Sequence, residues 1–328
     1  MANNCLLIGD IGGTNARFAL ADGSKPGFSD ALTLTCADFA TADEAIESYL
    51  DSVDAGKPDA ICLAAAGPIV NRAVRFTNNH WSLAEDDLKS GFGTEAVRLL
   101  NDFEAVAYSV PSLSTDDCTP IGLPDPHDLG DGDFTVAVVG PGTGLGAGGL
   151  CRRGGTVYPV VGEGGHVGFA PESQLQLEVL IALRERFDRV SAERLVSGPG
   201  IENLYWALAR VHGEKEAAPS ARQIFEAAQE GSNSRASETV QLFFETLGQI
   251  AGNLALALGA TDGVYIAGGI ARRYPKVLES SRFRSAFDSK GRHRTYMESI
   301  PTQLVTYAEP GLLGAAYCAL QLLPGVER

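Results

Sequence analysis

The 328-residue chain is 45% apolar and 20% charged, the composition of an ordinary globular protein long enough to fill two cores. Its net charge of −15 argues against nucleic acid or an anionic membrane as partner, and no apolar run reaches the length of a membrane span. Six scattered cysteines without a C-x-x-C pair, and an N-terminus with no leader-like progression, lead to the expectation of a reduced, cytoplasmic protein with no zinc site.

In chain order, Cys5–Ile8 and Arg17–Leu20 read as a hairpin and Ala31–Thr35 as a third strand. Thr41–Asp54 carries Ala45, Ile46, Tyr49, Leu50 and Val53 on one helical face. Buried-strand patterns follow at Asp59–Ala66 and Ala96–Leu100, the second ending at Asn101-Asp102. Pro111–Asp133, rich in Pro, Asp, Gly and Ser, reads as a connector, which puts a domain boundary near residue 112. Beyond it, Thr135–Val139 and Ala147–Cys151 are strands, and a hairpin region extends to Val161. Helical periodicity marks Leu175–Phe187, Ala192–Leu195, Gly200–Val211, Ala221–Glu230 and Ser237–Leu258. A short strand at Gly263–Ala267, another at Thr302–Tyr307 and an apolar helix at Gly311–Leu323 complete an α/β layered pattern.

Two glycine-rich turns dominate this pattern. Gly9-Asp10-Ile11-Gly12-Gly13-Thr14-Asn15 and Gly140-Pro141-Gly142-Thr143-Gly144-Leu145-Gly146 stand about 130 residues apart, and each lies between two strands. Glycine lets backbone amides close in on a ligand, and a turn of such amides with a Thr at its apex forms an anion cradle. Gly144-x-Gly146-x-x-Gly149 satisfies a dinucleotide fingerprint literally, but that fingerprint needs a helix to open at the third glycine, and Leu150–Pro159 reads as hairpin instead. No G-x-x-x-x-G-K-[ST] occurs, so a P-loop is excluded as well. Plain hairpin loops would also favour glycine, but two matched turns suggest one polyphosphate gripped from two sides.

Local pattern leaves several acids open to two readings. Asn101 with Glu104 matches a capping box ahead of the apolar run Phe103–Val110, while Asp102 at a strand end has the position of a cleft-facing base. Glu163 and His166 flank Gly164-Gly165 in a stretch without periodicity, suited to wrapping a polyol, although a lone His is more often structural. Glu-x-x-His lacks further metal ligands at useful spacing. Glu193 follows Ser191 as an acid in a helical first turn would.

Taken together, these segments resemble the bacterial glucokinase family of the hexokinase–actin–heat-shock ATPase superfold. The resemblance rests on both glycine turns and on Thr77-Asn78-Asn79-His80-Trp81, Asn101–Val106, Gly162-Glu163-Gly164-Gly165-His166-Val167, Val190–Arg194, Ser197–Gly200, Ala267–Ile270 and Pro310–Gly314, in order along nearly the whole chain. It implies a two-domain α/β fold of the actin-like ATPase (ribonuclease H-like) type, with the ligand cleft between a small domain and a larger, more helical one. The expected bounds are 1–112, with the C-terminal helix 312–328 packing back on this domain, and 113–311.

The same resemblance implies ATP-dependent phosphorylation of glucose at O6. Asp102 would take the proton of that hydroxyl, and Asn101, Asp102, Glu163, His166 and Glu193 would contact the sugar. Gly9, Asp10, Ile11, Gly12, Gly13, Thr14, Asn15, Gly142, Thr143 and Gly144 would hold the phosphates of ATP, and Gly268 and Gly269 the adenosine. Asp10 would orient Mg²⁺ through water. Arg17 stays outside the expected site, as a structural partner of Asp10. The family also implies a homodimer, and because each half carries one glycine turn and part of the sugar set, sugar binding is expected to close the cleft. Two rivals share the fold. One is a repressor-and-kinase-type kinase of an amino sugar or another hexose, whose Cys-rich zinc motif does not follow His166; the other is a sugar-responsive regulator, for whose DNA-reading module the early strand pattern leaves no room.

Overall fold

A computed structural model describes residues 5–76, 79–214 and 217–323. Thr77 and Asn78 of the quoted segments lie outside the described residues. By its contacts the chain divides into unit 1, Met1–Asp117 with Arg152–Val161 and Tyr307–Arg328, and unit 2, Cys118–Cys151 with Gly162–Thr306. These breaks fall a few residues from those expected at 112/113 and 311/312, and the segment Arg152–Val161 groups with unit 1.

Strands β1 (Leu6–Ile11) and β2 (Asn15–Ala21) form the first hairpin, followed by β3 (Phe28–Thr35), α1 (Ala42–Ser52), β4 (Ala60–Ala65), β5 (Ala73–Arg75), β6 (Ser82–Ala84), α2 (Glu85–Phe92), β7 (Ala96–Asn101) and α3 (Asp102–Ser109). Next come β8 (Cys118–Pro120), β9 (Phe134–Pro141), β10 (Leu145–Arg153), β11 (Thr156–Val160), α4 (Gln174–Leu183), α5 (Gly198–Val211), α6 (Ala221–Glu230) and α7 (Ser234–Leu258). The chain ends through β12 (Gly263–Ile266), α8 (Gly269–Arg273), α9 (Pro275–Glu279), α10 (Phe283–Asp288), α11 (Arg294–Glu298), β13 (Thr302–Val305) and α12 (Pro310–Gln321).

In unit 1 the strand order is β3–β2–β1–β4–β7, with β2 antiparallel to β1 and to β3, and β1, β4 and β7 parallel. Every residue of β4 is buried, and β1 is buried except at Asp10. Such unbroken apolar strands are what a parallel sheet covered on both faces requires. One face packs the apolar stripe of α1, with Ala45, Ile46, Tyr49 and Leu50 all buried. Against the sheet also lies α12, which contacts β1 and β4 and packs along α3. There a Cβ on Gly314 would stand 1.7 Å from the carbonyl oxygen of Ala105, so the two helices touch backbone to backbone.

In unit 2 the sheet carries β10–β9–β12–β13–β8, with β12 parallel to both β9 and β13. Each unit therefore repeats one plan: a hairpin closed by a glycine turn, then two parallel strands. The core of unit 2 gathers around α7 and α5, with Phe243, Phe244, Leu247, Leu204 and Leu208 fully buried. Asn233 caps α7 by accepting from the Ala236 N–H at 3.0 Å, which starts the helix three residues before the expected Ser237.

Two sequence expectations change. Pro111–Asp133 is not all connector, because Cys118–Pro120 pairs antiparallel with β13; three residues are too few to carry a strand pattern. Ala192–Leu195 holds one 3-10 turn over Ala192–Arg194 rather than an α-helix. Its apolar periodicity reflects packing of Leu195 and Val196, while Ser197 already caps the next helix by accepting from the Gly200 N–H at 3.0 Å.

The helix contact at Gly314 is testable. A methyl group there must push α12 off α3, and overpacking of this kind costs about 3 kcal/mol. Gly314→Ala should lower the urea midpoint accordingly, and an unchanged midpoint would contradict the backbone contact.

Candidate active site

In unit 1 the parallel register sets Ile11 beside Ala65 and Ala65 beside Asn101. The C-terminal ends of β1, β4 and β7 are thus level, and Asp10 and Asp102 stand at the same edge of the sheet. In an open α/β sheet this edge is where ligands bind. The first glycine turn leaves from it: the Gly12 N–H donates to the Asn15 carbonyl at 2.9 Å, and the Cys36 N–H to the Thr14 carbonyl at 2.9 Å. The Asn79 side chain donates to the Gly12 carbonyl at 3.3 Å. Thr14 and Asn15 are exposed at the apex.

The capping-box reading of Asn101 and Glu104 holds. Asn101 caps α3: its Oδ1 accepts from the Phe103 N–H at 2.9 Å, while Glu104 accepts from the Asn101 N–H at 3.3 Å to complete the box. The Asn101 amide also donates to the Gly67 carbonyl at 3.2 Å, so both ends of that side chain are engaged. Glu104 is held in turn by Arg98 at 3.1 Å. The cap fixes the start of α3, and Asp102 is its first residue. Its Oδ1 accepts from the Phe103 N–H at 2.9 Å.

Asp10 is partly buried on β1. Burial, then the Asp102 carboxylate, push its acid up from 3.8 to about 6, with Arg17 opposing and Glu309 adding to the shift. The protein therefore holds a reluctant negative charge beside a second one. Such a pair suits a hard cation that keeps most of its water, as Mg²⁺ does when it takes one carboxylate and substrate phosphates. Among the described residues no group of three His, Cys, Asp or Glu side chains could by itself hold a metal.

In unit 2 the second turn is closed by the Gly142 N–H donating to the Gly144 carbonyl at 2.8 Å. The Gly198 N–H, at the start of α5, donates to the Gly142 carbonyl at 2.8 Å, which brings that helix N-terminus to the turn. Helix N-termini favour phosphate. Gly268 has φ +107°, and a Cβ there would lie 2.6 Å from the Pro141 carbonyl oxygen, so only glycine fits the end of β12 against the turn. Gly142, Thr143 and Gly269 line a cavity of about 610 Å³ together with Phe225, Arg273 and Tyr274. The rings of Phe225 and Tyr274 stack at 4.0 Å between centroids.

The expected sugar residues of unit 2 also converge. Glu193 lies in the first turn after Ser191, as its sequence context suggested, and its Oε2 accepts from the Leu145 N–H at 2.9 Å, at the end of the glycine turn. His166 lies 3.9 Å from Glu193 through Nδ1 and 3.9 Å from Glu163 through Nε2. The Arg189 guanidinium holds the His166 carbonyl at 2.8 Å, and the Ala192 N–H holds that of Val167 at 2.8 Å. These bonds tie the two loops together, and Glu163 and His166 remain exposed.

Sequence reasoning missed Glu309, which pairs with Arg17 across 292 positions, and the cavity residues Phe225, Arg273 and Tyr274. Glu309 directly precedes the quoted Pro310-Gly311, which was the available signal. Nothing local marks the cavity residues, because two helices supply them.

Two hairpins with phosphate-type glycine turns, each continued by two parallel strands, define a member of the actin-like ATPase class of α/β folds. Comparison with known proteins narrows this. The glucokinase family model matches residues 7–322. A glucokinase of Caulobacter sp. (strain K31) is 45% identical over 312 residues, covering 94% of this chain and 93% of the relative. The crystal structure of a glucokinase from an Antarctic psychrotroph superposes with a TM-score of 0.90 at 37% identity, covering 97% of this chain and 99% of that one. A ROK family glucokinase from Streptomyces griseus, solved with glucose and AMPPNP, shares the fold at a TM-score of 0.62 and 19% identity, over 97% of this chain and 100% of that one. The chain belongs to the glucokinase family, enzymes that phosphorylate glucose with ATP.

The raised pKa of Asp10 has a consequence of definite sign. An acid whose folded value exceeds its unfolded one costs nothing below the lower value and its full amount above the upper, here about 3 kcal/mol between 3.8 and about 6. Without ligands, Asp10→Asn should therefore be more stable than the parent at about pH 7.5, and the gap should close as the pH falls towards about 4. Thermal melts across this range check it; a gap independent of pH would contradict the buried charge.

Proposed function

We propose that the chain transfers the γ-phosphoryl group of ATP to the 6-hydroxyl of glucose, with Asp102 as the general base. The observation that carries this reading is the register that levels the strand ends of Asp10 and Asp102 and leaves Asp102 fixed by the Asn101 cap. Phosphoryl transfer asks little of a protein beyond positioning, charge neutralisation and a proton acceptor. Asp102 accepts the O6 proton as the bond from O6 to the γ-phosphorus forms and the bond to the β-phosphate oxygen breaks. Glucose 6-phosphate and ADP leave.

Backbone amides of Gly13–Asn15 and of Thr143 and Gly144 take the phosphates, those of Gly12 and Gly142 being engaged in closing their turns, and the cavity beside Gly269 takes the adenosine. Asp10 would hold Mg²⁺. When bound, the ion neutralises charge that develops on the phosphate oxygens. Glu163, His166 and Glu193, with the engaged Asn101, read the sugar hydroxyls. A sugar with one hydroxyl inverted leaves one of these groups unpaired, which is how such a site ranks epimers. The bound glucose and AMPPNP of the Streptomyces griseus structure support these ligands. A cytoplasmic homodimer in glycolysis is the setting that the family suggests.

Asp102→Asn keeps the first residue of α3 and removes the proton acceptor. Turnover should fall by about 10²–10⁴, the range for a lost general base, while calorimetry shows glucose affinity within a few-fold of the parent. Near-normal turnover would remove Asp102 from the chemistry.

A further inference from the structure

We infer that the Arg17–Glu309 ion pair is a positioning device that holds the Arg17 guanidinium off Asp10, so that the Asp10 carboxylate is left for a divalent cation. The inference rests on the proposed reading of Asp10 and concerns two residues outside that reading. In the β1–β2 hairpin Asp10 stands directly opposite Arg17. Cross-strand partners project from one face of the sheet within about 5 Å of each other, and opposite charges there pair readily. An Arg left to itself in this position would make a fork with the carboxylate. That pair would neutralise Asp10 and set a positive charge where a cation must approach.

The guanidinium is drawn elsewhere. Its Nε donates to Thr33 Oγ1 on β3 at 3.0 Å, and its Nη1 pairs with Glu309. Glu309 occupies the N-cap position of α12, and the next residues of the same segment close over Asp10: a Cβ on Gly311 would stand 3.0 Å from Asp10 Oδ2. One short stretch of chain therefore both covers the carboxylate and removes its competitor. Among the described residues, the charged groups that act on Asp10 are Asp102, Arg17 and Glu309. Counted with Asp10, three carboxylates face one guanidinium, a net charge of minus two that matches a divalent ion. Without Glu309 the balance falls to minus one, and Arg17 is freed to turn to Asp10.

The pair is only partly buried, with about a third of each side chain exposed, so its substitution spares the core. A merely structural ion pair would suffer equally from loss of either partner. The positioning role predicts opposite effects from the two.

The test measures ADP affinity of the full chain by calorimetry, with Mg²⁺ and again with EDTA; the ratio of the two affinities reports the cation alone. Glu309→Gln should reduce this ratio about tenfold, in line with loss of one charge a few ångströms from the ion in a partly screened site. Arg17→Gln should keep the ratio at or above the parent value, and Arg17→Gln/Glu309→Gln should return it to within about threefold of the parent. Asp10→Asn separates the two claims: if it leaves the ratio unchanged, the reading of Asp10 fails. If Asp10→Asn lowers the ratio while Glu309→Gln stays within twofold of the parent, the positioning inference fails. It fails as well if the double variant shows no recovery, since Glu309 would then act by holding the start of α12.

Discussion

Two carboxylates at the ends of β1 and β7, the parallel strands on either side of β4, are the constraint around which unit 1 is organised. Asp10 and Asp102 are brought to one edge by the β1–β4–β7 register, and after burial the Asp102 carboxylate is the main cause that pushes the Asp10 acid up. The fold accepts that cost, which ordinary core design would avoid by an apolar residue at Asp10. It is sustained by what surrounds it: strands buried on both faces, the Asn101–Glu104 box that pins α3, and α12 pressed backbone to backbone on α3 at Gly314. A sheet edge that carries two carboxylates in this way suits a cation and the anion the cation accompanies.

Unit 2 applies the same plan to a different task. Its hairpin turn is backed by a helix N-terminus through Gly198 and by a second strand end through Gly268, both of which bring backbone to the turn without side chains between. Glu193 joins the turn to the loop of Glu163 and His166, since a single carboxylate accepts from the Leu145 N–H and approaches the imidazole. A change in the loop is therefore felt at the turn. On the proposed reading, one side chain links phosphate recognition to hydroxyl recognition.

The strands and the long helices were legible in the sequence because their cause is local: apolar runs in β1, β4 and β9, and one-sided stripes in α1 and α7. The glycine turns were legible for the same reason, and their strand-to-strand context was enough to exclude a dinucleotide site. Asp102 was ambiguous, because a cap and a base make the same local pattern; the structure assigns the cap to Asn101. What stayed hidden came from distance. The β8–β13 pairing, the Arg17–Glu309 ion pair and the Phe225–Tyr274 wall each join segments that only the folded chain brings together. Glu193 does stand in the first turn after Ser191, but its bond to the Leu145 N–H joins segments 48 positions apart and left no local signal.

The most direct measurement is the formation of glucose 6-phosphate by the purified chain, followed by phosphorus NMR with ATP, Mg²⁺ and a panel of hexoses. The account predicts transfer to glucose at O6 with one ADP released per sugar phosphate, and weaker or no transfer to epimers and N-acetylated hexoses. Preferential phosphorylation of an N-acetylated hexose, or no glucose-dependent product with both cosubstrates present, would contradict it.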